Sequence, residues 1–421
     1  MKIIRYFCSV KEYNTFLRNT FLAIFAMISV GVMAQGVNVS AANSADSVLL
    51  QMDDVEVSLL TCSPGQKVWS LYGHTAIRYN DKAHDVDLAI NYGIFNFRQK
   101  NFVLKFVFGH TDYEMGIEPF SMFLMEYARE GRGVVQQKLN LSREEKFAIT
   151  QALSVNYQPE NRIYRYNYFY NNCTTKARDI LVNHLDGKVE YPISQSVKTS
   201  WRDAIHQLNE KHLWARFGND LLLGVKADGS MDYSQRQFVP DTLRKDFGEA
   251  AVVDASGRKR ALVLSTVEVL KPNEANVHKT SGIWDFLSPN AVFSLLLAFT
   301  IAISVIERRR GKTFWLYDVI LLTLDGLAGL CLLAMVFSEH PAVGLNFQIL
   351  LLNPLSIMFV YFVGNGIVQQ RYHRYWSFML LCLIVFFIGG FFQDYADGMY
   401  QLACILLIRC FVNKFVYTIK R

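Results

Sequence analysis

Two side chains in this 421-residue sequence have surroundings suited to nucleophilic chemistry: His74 and Cys173. His74 stands in Tyr72-Gly73-His74-Thr75-Ala76-Ile77-Arg78-Tyr79. After Gly73, the set Thr75, Ile77 and Tyr79 alternates with the set His74, Ala76 and Arg78. That period of two predicts a β-strand starting at a glycine turn, with the imidazole at its first position. Val86–Phe95 predicts a second strand, paired with the first through the turn Asn80–Asp85. Asp87 and Asn91 on it are the candidates to orient the imidazole. A strand histidine on its own is usually structural, and a second motif is what makes His74 a candidate.

That motif runs from Tyr166 to Leu181. Tyr166–Tyr170 reads as an aromatic extended segment, and Asn171-Asn172 supplies a helix N-cap. Cys173 then opens a helix in which Ala177, Ile180, Leu181 and His184 recur at helical spacing. A thiol at a helix N-terminus faces unpaired backbone N–H groups and the positive end of the macrodipole, both of which favour thiolate. A neighbouring imidazolium lowers the thiol pKa further and yields an activated nucleophile near neutral pH. The competing reading of Cys173 is a buried structural thiol, or one half of a disulfide with Cys62 in an oxidising compartment.

The elements that carry these residues divide by composition. Charged residues are only 19% of the chain and hydrophobic ones 51%, a balance tilted toward a membrane. The 31 Phe and 21 Tyr exclude a disordered chain. A net charge of +6 suggests nucleic acid, but the basic residues form no single face, so no nucleic-acid partner is expected. His and Cys never recur at ligand spacing, so neither a metal nor another cofactor is implied.

Residues 1–35 read as a signal peptide or signal anchor, with Lys2, Arg5, Lys11 and Arg18 before an apolar run from Thr20 to Ala34. Residues 36–282 mix apolar and charged positions like a globular domain. Residues 283–421 predict an all-α membrane domain of about five helices: Phe286–Ile306, Phe314–Phe337, Leu345–Val368, Trp376–Phe392 and a weaker Gly398–Val412. Lys and Arg cluster after the first, third and fifth spans, while Ser338–Gly344 and Gln393–Asp397 contain none. Basic loops stay cytoplasmic, so residues 36–282 are expected on the periplasmic side of the inner membrane. Asp318 and Asp325, seven apart on one face of the second span, are either functional carboxylates or structural ones held by polar neighbours such as Asn346 or Asn353.

Histidine on a strand ahead of cysteine on a helix reverses papain's chain order. It resembles the circularly permuted papain-like (NlpC/P60-like) α+β fold, shared with lecithin:retinol acyltransferase-like enzymes. More of the chain is similar to one family, the bacterial lipoprotein N-acyltransferases of the Lnb type. The likeness runs through Leu59–Gly65, Tyr72–Tyr79, Asn91–Phe97, Tyr164–Leu181 and Asp220–Gly224, then His340-Pro341 and Asn353-Pro354-Leu355. It implies transfer of a fatty acyl chain from a phospholipid donor to the α-amine of a lipoprotein acceptor's diacylglyceryl cysteine. His74 and Cys173 are the residues carried over. Cys62 also sits in a family-like segment, and its role stays open.

A thiolate that takes the acyl group as a thioester splits one hard transfer into two easier ones, with His74 moving the protons. Both substrates would be lodged in a membrane, which accounts for the spans. Phe102–Phe108 and Phe120–Tyr127 could border an acyl groove, and a packed core explains them equally well. Two readings of other classes use the same residues differently. A membrane-anchored cell-wall cysteine endopeptidase needs His74 and Cys173 but not five spans, and a non-catalytic envelope receptor or scaffold needs neither residue.

Overall fold

The structure is a computed structural model that describes residues 49–95, 100–192, 199–273 and 287–418. The export segment expected at residues 1–35 lies outside the described residues. Two compact units emerge, one from the described parts of Met1–Asn96, Asp112–Gln195 and Gln235–His278, the other from those of Phe97–Thr111, Ser196–Ser234 and Lys279–Arg421.

The first unit is built on a seven-stranded sheet in the order β10-β5-β1-β2-β3-β4-β6. The strands are β1 (Val55–Cys62), β2 (His74–Asp81), β3 (Val86–Ile94), β4 (Asp112–Pro119), β5 (Val134–Leu139), β6 (Ile163–Arg165) and β10 (Val263–Leu270). Every pairing is antiparallel. Three short strands, β7 (Lys188–Glu190), β8 (Ala251–Val253) and β9 (Lys259–Ala261), form a smaller sheet.

The alternation read along β2 becomes a division between two cores. Ile77 and Tyr79 join Val57, Leu59, Ile90 and Tyr92 in a cluster. Helices α2 (Arg143–Tyr157), α3 (Cys173–Val182) and α4 (Pro240–Glu249) cover it through Ile149, Leu153, Ala177, Leu181, Leu243 and Phe247. On the opposite face Ala76 packs with Leu60, Cys62, Ala89 and Val134 under Phe120, Phe123 and Tyr127 of α1 (Phe120–Arg129). Both faces are buried, so neither strand of the hairpin has a solvated side. The aromatic stretch Phe120–Tyr127 is therefore core at Phe120, Phe123 and Tyr127.

Among its described residues the second unit holds four helices long and apolar enough to cross a membrane, Pro289–Arg310, Trp315–Val336, Gln348–Val368 and Met399–Val416. We label α5 (Pro289–Arg310), α6 (Trp315–Val336), α7 (Leu355–Val368), α8 (Tyr375–Gly389) and α9 (Met399–Thr418). The order of strength differs from the sequence reading. The segment read as the fourth span yields α8, only 15 residues long, against the roughly 20 that a span needs. It stops at Gly389-Gly390, beyond which Phe391 and Phe392 lie exposed in a turn.

The segment read as weakest forms one of the long helices, because Arg409 is neutralised inside the bundle rather than left near an end. Its guanidinium forks onto Asp318 at 2.7 and 2.8 Å, bonds Glu307, and donates to Ser304 Oγ at 3.2 Å. Arg409, Asp318 and Glu307 are all fully buried. Asp325, about two turns along the same face, accepts from Ser356 Oγ at 2.5 Å and from the Asn353 N–H at 3.2 Å. Asn346 serves elsewhere, donating to Leu221 O at 2.9 Å. That bond belongs to a clamp on Asp220–Gly224, where Gly224 N–H donates to Ala342 O and Val225 N–H to Leu345 O. A Cβ on Gly224 would fall 2.1 Å from Leu345 O, so only glycine permits this approach.

Candidate active site

β1, β2 and β3 set the positions of the site. Cys62 pairs directly with His74 across β1 and β2, and Ala76 pairs with Asn91 across β2 and β3. His74, Ala76 and Asn91 therefore share the α1 face of the sheet, with Asn91 one diagonal step from His74. Asn91 Oδ1 lies 2.9 Å from His74 Nε2. Asp87 shares that face but pairs with Asn80 at the turn end of the hairpin, whereas His74 lies at its open end. Arg78 holds Asp87 by a fork at 2.8 and 2.7 Å. Of the two orienting candidates, the geometry puts Asn91 on the imidazole and Asp87 on a guanidinium.

The thiol arrives from α3, on the other side of the sheet. Asn172 caps that helix: its Oδ1 accepts from the N–H groups of Thr174 and Thr175, both at 2.9 Å. Its Nδ2 donates to Tyr168 O at 3.0 Å and to Phe238 O at 2.9 Å, tying the cap to two other segments. Cys173 is then the first helical residue. The segment before it is not extended. Asn167 Oδ1 accepts from the N–H groups of Phe169 and Tyr170, and Asn167 bridges Asn171, so the chain folds into a tight turn. Asparagine side chains that hydrogen-bond their own backbone compete with strand pairing, and here the turn wins.

His74 and Cys173 are brought together where their neighbours Thr75 Oγ1 and Thr174 Oγ1 meet at 3.1 Å, and each acts on the other's charge. Because Nε2 is engaged by Asn91, Nδ1 is the ring nitrogen left for the thiol. Gly93, bordering Cys173, has φ +85, a left-handed backbone that glycine adopts without strain. Burial works against the Cys173 thiolate, but the His74 charge and hydrogen bond, the Thr75 N–H and the Thr174 hydroxyl outweigh it and bring the thiol down to about 7. His74 moves the other way: burial lowers its pKa, while the Cys173 charge and the Cys173 and Asn91 hydrogen bonds raise it by more. The two shifts run in opposite directions, each group favouring the charged form of the other.

Cys62 has the opposite environment. It is buried in the apolar cluster under α1, and that burial pushes its thiol up to about 12. Cys62 and Cys173 are both free thiols. Four further residues meet at the site that the sequence reading did not single out. Thr75 Oγ1 lies 3.1 Å from Thr174 Oγ1 and pins β2 to the start of α3. Arg132 sits with its guanidinium 4.4 Å over the Tyr127 ring, and its charge acts on both His74 and Cys62. Glu118 accepts a hydrogen bond from Asn91 Nδ2 at 2.9 Å. The signal for Glu118 was its place in Met115–Pro119, where Met115 and Ile117 belong to the opposite face.

Two family models match the chain. One, the Lnb N-terminal periplasmic domain, covers residues 43–207, the segment that carries His74, Asn91, Glu118 and Cys173. The other, the Lnb transmembrane domain, covers residues 280–421. The chain belongs to the Lnb family. It is a lipoprotein N-acyltransferase-type membrane protein with a periplasmic domain and a helical membrane region. No curated protein and no solved structure matches it, so the Lnb assignment rests on the two domains.

Proposed function

We propose that this Lnb-family protein transfers a fatty acyl chain from a phospholipid to the α-amine of a lipoprotein's diacylglyceryl cysteine through a thioester on Cys173. The observation that carries the proposal is the juxtaposition of His74 and Cys173, whose neighbours Thr75 and Thr174 lie 3.1 Å apart, with Asn91 on the far ring nitrogen and the thiol brought down to about 7. The order of strand histidine and helix cysteine also supports assigning the first unit to the permuted papain-like type.

In the first half-reaction the Cys173 thiolate attacks the phospholipid ester carbonyl. The carbon–oxygen bond breaks, and His74 gives its Nδ1 proton to the departing lysophospholipid alkoxide. In the second, the lipoprotein amine attacks the thioester carbonyl and loses a proton to Nδ1. The carbon–sulfur bond breaks, the amide forms, and the thiolate–imidazolium pair is restored. Neither half needs a metal or a redox partner to balance. Cys62, with its thiol pushed up, stays outside the chemistry. Residues 36–282 face the periplasm in this reading, and α8 adds a fifth crossing that leaves the C-terminus in the cytoplasm.

The test incubates purified full-length protein with phospholipid and a synthetic diacyl lipopeptide and follows the added acyl mass. Wild type should produce triacyl lipopeptide and Cys173→Ala none. Product formed by Cys173→Ala at the wild-type rate overturns the proposal, and cleavage of peptidoglycan stem peptides in place of acyl transfer would make the protein a peptidase.

A further inference from the structure

We infer that Glu118 is a positioning residue that sets the direction of the proton path by fixing the Asn91 amide, an inference that rests on Cys173 and His74 being the reacting pair. The argument starts from what an amide can do. An asparagine side chain presents an acceptor at one end and donors at the other, and nothing in its shape decides which way it points. In the site both ends are engaged: one end meets His74 Nε2 at 2.9 Å, the other meets Glu118 Oε1 at 2.9 Å. A carboxylate oxygen only accepts, so the Asn91 NH2 group must face Glu118 and Oδ1 must face His74. Oδ1 in turn accepts, so Nε2 carries a proton in every charge state of the ring. The neutral imidazole then has its lone pair on Nδ1, the nitrogen left for Cys173. With the amide reversed, the NH2 group would favour a bare Nε2 and a proton on Nδ1, and the base would point away from the thiol.

The fold holds Glu118 in a place suited to this task. It is the penultimate residue of β4 and precedes Pro119 and the start of α1, a strand-to-helix junction that fixes its backbone. In the β3–β4 register Glu118 pairs with Ala89 and Gly116 pairs with Asn91. Gly116 has no side chain to intervene, so Asn91 leans diagonally to Glu118. Burial and the neighbouring Glu126 carboxylate push Glu118 up to about 7, against the Asn91 hydrogen bond and the His74 charge, which lower it. Only the ionised carboxylate is acceptor-only, so it is the ionised form of Glu118 that fixes the amide's direction.

The variants Glu118→Gln and Glu118→Ala, in the full-length protein in detergent, separate this role from simple packing. Glutamine keeps an acceptor oxygen at the same reach, and alanine removes it. The readout is the pH dependence of Cys173 alkylation by iodoacetamide, followed by peptide mass, alongside the acyl-transfer rate. Because glutamine donates as well as accepts, we expect Glu118→Gln to raise the midpoint above the wild-type value near 7 by less than Glu118→Ala does. In Glu118→Ala the midpoint should rise toward the ordinary thiol value of 9.0, and transfer should fall by about 10–10²-fold, the size of a misoriented base. If a thermal scan shows that Glu118→Ala does not fold, Glu118→Met, which keeps the volume and lacks an oxygen, takes its place. An unmoved midpoint in the acceptor-free variant, or equal losses in the glutamine and acceptor-free variants, overturns the inference. Failure of the acyl-transfer reading is separable: Cys173→Ala would then transfer as fast as wild type, while the alkylation midpoints would still decide the part played by Glu118.

Discussion

Cys62 is the direct cross-strand partner of His74, yet the thiol that the His74 charge favours as thiolate is Cys173, delivered by a helix on the other side of the sheet. Pairing along the sheet does not decide which thiol is the easier to ionise. Cys62 is enclosed by Leu60, Phe123, Tyr127 and Val134, where burial opposes its ionisation and pushes it up to about 12. At Cys173 the imidazole, the Thr75 N–H and the Thr174 hydroxyl overcome the same penalty.

Thiol labelling should therefore discriminate sharply between the two. At pH 7 about half of Cys173 is thiolate, whereas the ionised fraction of Cys62 is on the order of 10⁻⁵. Iodoacetamide, followed by peptide mapping, should modify Cys173 at least about 10²-fold faster in the folded protein. A Cys62 that reacts as fast would contradict the environment described.

The pH dependence has a definite sign. Cys173 has a folded-state value of about 7, below the ordinary 9.0. The thiolate's favourable contacts are thus fully present above the unfolded value and are lost as pH falls through about 7. Acyl transfer and alkylation should both decline on the acid side, with a limb near pH 7. A limb near pH 9 would mean that the His74–Cys173 pair does not form in solution.

His74→Ala removes the partner charge and the proton carrier together. Acyl transfer at pH 7 should fall by about 10²–10⁴-fold, and the Cys173 alkylation midpoint should rise. Asn91→Ala leaves both reacting groups but frees the ring. A loss of about 10²-fold is expected there, the effect of a reacting group misplaced by about 1 Å. Single-turnover measurement of acyl-enzyme formation distinguishes the two. A rate equal to wild type in His74→Ala would remove the imidazole from the mechanism.

How much of this was legible in the sequence follows from which forces are local. The alternation along Thr75, Ile77 and Tyr79 and the cap at Asn172 are short-range signals, and β2 and α3 begin at His74 and Cys173, where those signals put them. Choosing Asn91 over Asp87 required the hairpin register, because both lie on one face and differ only in distance from the open end. The alternation with Met115 and Ile117 could place Glu118 on a face, but its contact with Asn91 depends on β4 pairing with β3 across 27 positions, which no local signal gives. The turn at Tyr166–Tyr170 was read as extended because aromatic content suggested a strand, while the Asn167 side chain dictated otherwise. In the membrane part, apolar composition located the helices, but the relative strength of the last two turned on where Arg409 finds its carboxylates.

Those carboxylates give the final prediction. Arg409 lies fully buried between Asp318 and Glu307, and Asn413 Nδ2 donates to Asp318 Oδ2 at 3.1 Å. Asp318 is thereby engaged as the partner of a buried cation, joining α6 to α9 within the bundle. Arg409→Leu alone strands two carboxylates in an apolar interior, and breaking a buried pair from one side costs about 3–5 kcal/mol. Replacing Arg409, Asp318 and Glu307 together by leucine leaves no charge uncompensated, so stability should return to within about 1–2 kcal/mol of wild type, as apolar substitution of a whole buried cluster does. Thermal unfolding in detergent should show the single variant melting well below the triple. Acyl transfer per folded molecule in the triple variant should match wild type. A triple variant that folds well but transfers no acyl group would return Asp318 or Glu307 to the list of functional carboxylates, and with it the membrane helices to the chemistry.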